Sequence, residues 1–149
     1  MNSLLKRAVT TTQNAVTAAH TFAYRRTGGR VGGSFGRIRM LLLTTTGART
    51  GEQRTQPLLY TMHGESFVLI ASNGGAPRHP AWFHNLKRHP RAEVQVDGRR
   101  LVVRARQAKP QERAELWRQM TRVWPLYNGY QQRTDREIPI VLLEPVRRG

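Results

Sequence analysis

Arg49 and Arg54 stand five residues apart across Gly51, within the run Gly47-Ala48-Arg49-Thr50-Gly51-Glu52-Gln53-Arg54-Thr55. Bounded by glycines, this run makes a tight hairpin in which one guanidinium from each side faces a common ligand. Guanidinium groups bind phosphate and carboxylate through paired, charge-assisted hydrogen bonds. The competing reading, of equal weight, is two solvated surface arginines in a basic chain. A second turn, Ala71-Ser72-Asn73-Gly74-Gly75, follows an apolar strand and leads into Pro80-Ala81-Trp82, which has the form of a helix start. Strand ends, glycine turns and helix starts leave backbone N–H groups free, and such groups bind anions. An ordinary Asn-Gly turn without a ligand is the alternative. Together the two turns are suited to hold a phosphorylated or carboxylated ligand against a strand edge.

Other residues are less specific. Trp82 and Asn85 lie one helical turn apart, and Trp82 by itself reads as a core residue. Trp124, Tyr127 and Tyr130 recur at a spacing of three. In a short helix they share a face, either packing on the core or forming a lid over a flat apolar substrate. In the second case Tyr127 or Tyr130 supplies a hydrogen bond or a proton. His79, His84 and His89 invite a metal reading, but no acid accompanies them, and Pro80 and Pro90 break the helix at both ends, so no metal is expected. The chain has no cysteine, which removes thiolate nucleophiles and zinc–thiolate sites. Paired carboxylates, a nucleophile elbow and a phosphate-loop sequence are all missing. That set of absences suits chemistry carried by a cofactor, with the protein supplying binding, orientation and exclusion of water.

The elements that position these residues follow from periodicity. Apolar or alternating runs predict strands over 40–45, 55–62, 66–71, 92–96, 101–105 and 138–143. His63-Gly64-Glu65 and Asp97-Gly98 mark hairpin turns. Helices are predicted over 80–88 and 110–123, the second with Pro110 early and Glu112 and Glu115 in its first turns, and a short one over 125–131. The spacing predicts an amphipathic helix over 2–23, followed by a glycine-rich basic connection over 24–39. The expected fold is α+β: a six-stranded split β-barrel over 26–149 with inserted helices, preceded by a helical arm over 1–25.

Charge widens the choice of partners. The 149-residue chain carries 25 Lys and Arg against 9 Asp and Glu, a net charge of +16. Such a field attracts nucleic acid, anionic lipid or an anionic coenzyme alike. The arginine excess has a bland explanation in a GC-rich genome. No run approaches the roughly 20 apolar residues of a membrane span, and the first residues lack the continuous apolar stretch of a signal peptide. The expected location is the cytoplasm. The N-terminal helix has three readings: packing on the barrel, an arm over the site, or contact with the anionic inner face of the cell membrane. No strand interleaves aromatic and basic residues as base stacking requires, so no specific nucleic acid is expected.

Several pieces of the chain resemble, in order and spacing, the deazaflavin-dependent nitroreductase family of small split β-barrels that use reduced coenzyme F420. They are Leu42-Leu43-Thr44-Thr45-Thr46-Gly47, the basic hairpin to Arg54, Pro57-Leu58-Leu59-Tyr60, Ala71-Ser72-Asn73-Gly74-Gly75, His79-Pro80-Ala81-Trp82-Phe83-His84-Asn85-Leu86, Tyr127, and Arg133-Thr134-Asp135-Arg136-Glu137-Ile138-Pro139. The resemblance implies that Ala48, Arg49, Thr50, Gly51, Gln53 and Arg54 meet the phosphate and acidic tail of the coenzyme. It implies that Pro57, Ile70, Ala71, Ser72 and Asn73 lie along its ring, with Ala81, Trp82, Asn85 and Tyr127 bordering the pocket. It makes Ser72, Tyr127 and Tyr130 the catalytic candidates and Leu59, Trp124 and Tyr130 the substrate side. The implied reaction is hydride transfer to a flat apolar acceptor, a quinone first and nitroaromatics second. The family favours lysine where Arg49 stands, a basic residue at Asn73, and tyrosine at Leu59 and Trp124. The last two departures make this pocket less polar. The rivals are a flavin mononucleotide or haem-type split barrel, and a non-enzymatic basic module that binds nucleic acid or membrane.

Overall fold

The computed structural model describes residues 34–35 and 38–146. The expected N-terminal helix and most of the glycine-rich connection lie outside the described residues. Among the described residues, seven strands form one antiparallel sheet: β1 (Ser34–Phe35), β2 (Ile38–Thr46), β3 (Gln53–His63), β4 (Ser66–Ile70), β5 (Arg91–Val96), β6 (Arg99–Gln107) and β7 (Ile140–Pro145). Their spatial order is β1-β2-β3-β4-β7-β6-β5, and β2 also pairs with β5. That last pairing closes β2 to β7 into the expected six-stranded barrel. Three α-helices are inserted: α1 (Ala81–Arg88), α2 (Pro110–Val123) and α3 (Leu126–Gln132). The two-residue β1 was not anticipated, because the glycines before it hide any strand pattern. At the β5–β6 turn Asp97 and Gly98 have φ of 49° and 76°, the left-handed pair that tight hairpins need.

Side-chain alternation divides the core in two. Phe67, Leu69 and Ala71 point into the barrel with Val141 and Leu143, where Trp82, Phe83 and Leu86 of α1 join them. Val68, Ile70, Ile140 and Leu142 point outward, under Leu116 and Met120 of α2 and Tyr127 of α3. β4 and β7 are therefore covered on both faces, which is why they read as continuous apolar runs rather than alternating ones. The start of α2 is fixed by charge. The Glu112 carboxylate accepts the Lys109 N–H at 2.9 Å and both Arg106 guanidinium nitrogens at 2.8 and 3.0 Å. Chiefly through the Arg106 bond, its pKa falls to about 2.

The barrel is split between β3 and β4. β3 pairs with β2 from Gln53 to Tyr60, but with β4 only at Thr61, Met62 and His63. From Gln53 to Tyr60, then, one edge of β3 pairs with no strand among the described residues. His63 and Ser66 close a two-residue turn, so the backbone groups of residues 63, 61, 59 and 57 aim at the β4 side. The N–H that Pro57 lacks falls on the open side, where no ladder bond is lost.

Candidate functional site

A cavity of about 320 Å³ occupies the split. Gln56, Leu58 and Leu59 of β3 form one wall, and Leu69 and Ile70 of β4 the opposite one. Ser72, Asn73 and Gly74 rim it, Pro80 and Trp82 close it at the start of α1, and Tyr127 reaches in from α3. The surface is thus mixed, with apolar side chains from β3, β4 and α1 and polar groups at Gln56, Ser72, Asn73 and Tyr127. Burial, with Tyr130 adding to it, pushes the Tyr127 phenol well above its ordinary value. It stays protonated, and so a hydrogen-bond donor, across the neutral range.

The three aromatics meet, but not on one helix as expected. Trp124 caps the end of α2, and Pro125 separates it from α3. Trp124 Nε1–H donates to the Tyr130 hydroxyl at 3.4 Å, and the Tyr130 ring stands edge-on to Tyr127 with centroids 6.0 Å apart. Tyr127 faces the cavity, while Trp124 and Tyr130 pack in the layer behind it.

The rim is held from behind. After β4 the chain makes a 3-10 turn, Asn73–Gly75, with φ of 48°, 64° and 82° along its three residues. A Cβ on Gly75 would sit 2.7 Å from the Tyr130 carbonyl oxygen, so only glycine allows this approach to α3. The Arg136 guanidinium then binds the loop at four points: the carbonyls of Ser72 at 2.7 Å, Ala76 at 2.9 Å and Ala71 at 3.3 Å, and His79 Nδ1 at 2.9 Å. Because Arg136 is the donor, His79 Nδ1 accepts, and the ring is neutral with its proton on Nε2. Burial, followed by the charges of Arg136, His84 and Lys87, holds the His79 pKa below its ordinary value. Arg136 belongs to one of the runs that carry the resemblance, but its neighbours Asp135 and Glu137 do not mark this role.

The basic hairpin lies at the other end. It closes through Gly47 N–H to the Glu52 carbonyl at 2.7 Å and Gly51 N–H to the Gly47 carbonyl at 2.9 Å. Buried Asn85 fastens it to α1: Oδ1 accepts the Ala48 N–H at 2.9 Å, and Nδ2 donates to Thr45 Oγ1 at 3.0 Å. The Asn85 amide thus faces the hairpin, not the cavity. Arg49 is exposed. Arg54 pairs with Glu52 at 3.1 Å, but both side chains are more than 60% exposed, so the pair contributes little to stability. Leu58, Gln56 and Arg54 alternate onto one face of β3. At about 6.6 Å per pair of residues, they mark a path of roughly 13 Å from the cavity to the hairpin.

Of the residues expected at the site, Leu59, Ile70, Ser72, Asn73, Trp82 and Tyr127 line the cavity. Ala48, Arg49, Thr50, Gly51, Gln53 and Arg54 form or flank the hairpin. Pro57 lies in the β3 wall. Ala71 points into the barrel core, and Ala81 is exposed at the start of α1. Gly74 and Pro80, in the turn and helix start read from the sequence, line it too, while Gln56, Leu58 and Leu69 were missed. The split lets both faces of β3 meet the cavity, and period-two alternation offers only one face at a time.

The chain matches the F420H(2)-dependent quinone reductase family over residues 16–145. It belongs to that family. An F420H(2)-dependent quinone reductase of Mycobacterium tuberculosis is 41% identical over 133 residues, covering 83% of this chain and 86% of the relative. A solved F420-H2 dependent reductase, FDR-A, superposes with a TM-score of 0.65 at 37% identity, covering 70% of this chain and 93% of its own. A second solved structure, a domain-swapped dimer, gives a TM-score of 0.68 at 30% identity, covering 95% and 100%. The protein is an oxidoreductase, and its cofactor is reduced coenzyme F420. The residues present fit that group: a slot between β3 and β4 with leucine, isoleucine and tryptophan walls for a flat ring, polar groups at Gln56, Ser72, Asn73 and Tyr127 for its edge, and arginines at the far end of a strand-length path for an anionic tail.

Proposed function

We propose that this family member passes hydride from reduced F420 to a quinone, with nitroaromatics as adventitious acceptors. The observation that carries the reading is the cavity in the β3–β4 split, joined along Leu58, Gln56 and Arg54 to the basic hairpin. The bound coenzyme supplies the hydride from its ring carbon; the protein supplies everything that positions it. Arg49 and Arg54 hold the acidic tail, and their exposure leaves them free to reach it. Ile70, Ser72, Asn73 and Trp82 border the ring. Leu59 makes the acceptor side apolar, with Trp124 packed in the layer behind Tyr127, which favours a flat quinone over a charged substrate, since stacking and burial need no matched charges. The Ser72 and Tyr127 hydroxyls donate hydrogen bonds to the acceptor oxygen as it gains negative charge. Tyr127 suits this role because burial keeps it protonated. Tyr130, with its hydroxyl bound by Trp124, backs the Tyr127 ring.

The test is steady-state oxidation of reduced F420 by a soluble quinone, with a nitroaromatic in parallel. Protein-dependent turnover with the quinone, at a higher specificity constant than with the nitroaromatic, is the expected result. Binding of F420 without turnover of either acceptor contradicts the proposal.

We also propose that the protein works in the cytoplasm at the anionic inner face of the membrane, where quinones partition. No helix among the described residues is long and apolar enough to cross a membrane. Support comes from the basic N-terminal sequence, with Lys6, Arg7, Arg25 and Arg26 flanking an apolar face. Each such residue near an anionic surface contributes on the order of 1 kcal/mol. Co-sedimentation with anionic but not neutral vesicles, lost when the chain starts near Arg26, is expected. Binding unchanged by that truncation rules the anchor out.

A further inference from the structure

Arg136 is a half-buried cation with an unusual set of partners. Among the described residues no carboxylate lies within ion-pairing distance of it; its donors go to three carbonyl oxygens and one imidazole nitrogen. All four acceptors belong to the segment from Ala71 to His79, which carries the cavity rim. Burial lowers the guanidinium's affinity for its proton, so its desolvation is offset only by these hydrogen bonds. Arg113 shows the contrast: it donates to the Ile138 carbonyl at 2.6 Å, stacks over Trp117 at 5.1 Å and lies 3.7 Å from Glu137, and none of its partners touches the cavity.

A trans peptide is planar, with its C=O and N–H pointing opposite ways. Where Arg136 draws the Ala71 and Ser72 carbonyls toward itself, the N–H groups of Ser72 and Asn73 turn away from it. Ser72, Asn73 and Gly74 line the cavity, and Arg136 does not. We propose that Arg136 is a positioning residue: by holding these two carbonyls from behind, it aims the Ser72 and Asn73 amides into the cavity, as donors to the polar edge of the coenzyme ring. This rests on the coenzyme reading of the cavity above. The geometry needs a fork of donors. A lysine at this position offers a single ammonium and cannot span acceptors that the planar guanidinium reaches from separate nitrogens.

Two variants and a control test it. Arg136→Ala and Arg136→Lys are compared with Arg113→Ala by F420 fluorescence titration, thermal melting, and amide nitrogen–proton NMR of the free protein. The proposal expects Arg136→Ala to raise the F420 dissociation constant tenfold or more, and Arg136→Lys to recover less than half of that loss on a logarithmic scale. In the free protein the Ser72 and Asn73 amide signals should move in both Arg136 variants. Arg113→Ala should lower the melting temperature while keeping F420 affinity within about twofold of the parent. Unchanged amide signals in Arg136→Ala overturn the proposal even if the parent binds no F420, so its failure is separable from failure of the coenzyme reading. Equal affinity losses in Arg136→Ala and Arg113→Ala, tracking their losses of melting temperature, also overturn it.

Discussion

The two loops at the ends of the cavity are held in opposite ways. The hairpin over 47–52 is tied at its root by one neutral amide, Asn85, while its arginines stand in water. The loop over 71–79 is gripped along its length by one cation, Arg136, and none of its own side chains is charged except Arg78. One end thus presents exposed charge on an anchored base, and the other presents backbone held by hydrogen bonds. That suits a ligand with a long anionic tail and a flat ring. The tail tolerates variation and needs attraction; the ring must be placed to within a fraction of an ångström for hydride transfer.

The contrast predicts which variants lose affinity and stability together. The largest effect belongs to Asn85→Ala. It leaves the Thr45 hydroxyl and the Ala48 N–H without their partner, at a cost of about 1–3 kcal/mol per unsatisfied buried group. The melting temperature and F420 affinity should both fall. A variant that melts like the parent shows that the hairpin does not depend on this tie. Arg54→Ala comes next. A charge-assisted hydrogen bond contributes roughly 1.5–3 kcal/mol, so the F420 dissociation constant should rise about tenfold or more. The melting temperature should hardly move, because the pair with Glu52 is exposed. The loss should shrink for an analogue without the acidic tail. Parent-like binding of the intact coenzyme would leave the hairpin arginines as a solvated surface.

Tyr127 sharpens the comparison from the acceptor side. Tyr127→Ala should lower the quinone specificity constant on the order of tenfold, with the coenzyme affinity little changed. Tyr127→Phe separates hydroxyl from ring: a loss nearly as large assigns the effect to the hydroxyl, a small one to packing. If Tyr127→Ala and Tyr130→Ala both leave quinone turnover at the parent rate, the acceptor lies elsewhere.

The smallest effect is a pH dependence of the 71–79 loop. His79 is held below its ordinary pKa, so below about pH 6.5 the unfolded chain binds a proton that the folded one resists. Stability therefore falls as the pH drops through that range. Protonation also removes the acceptor that Arg136 uses and sets a second positive charge beside Arg136, His84 and Lys87. His79→Gln should flatten the melting-temperature profile between pH 7.5 and 5, and an unchanged profile would show that the His79–Arg136 contact does not report on the loop.

Much of this architecture was readable in the sequence. Apolar and alternating runs with the Asp97-Gly98 turn were enough for every described strand but β1, and Pro110 with Glu112 located the start of α2. The ends were harder: β6 runs on to Gln107, because ladder pairing extends a strand past its apolar residues, and β7 starts only at Ile140, where its pairing with β4 begins. The glycine turns pointed to both ends of the site. What stayed hidden depends on contacts distant in sequence. Asn85 reaches back 37 residues to Ala48, and Arg136 reaches 64 back to Ser72. A local pattern contains neither. Gln56 and Leu58 were hidden for another reason, since nothing in the run of β3 marks where β4 leaves it.

The central claim is that the cavity and the basic hairpin form one site for a ring with an anionic tail. Parallel titrations of the protein with F420 and with flavin mononucleotide test it most directly. The account predicts at least tenfold tighter binding of F420, a difference of about 1.4 kcal/mol, with the gap narrowing in Arg54→Ala. Equal or reversed affinities in the parent protein would contradict it.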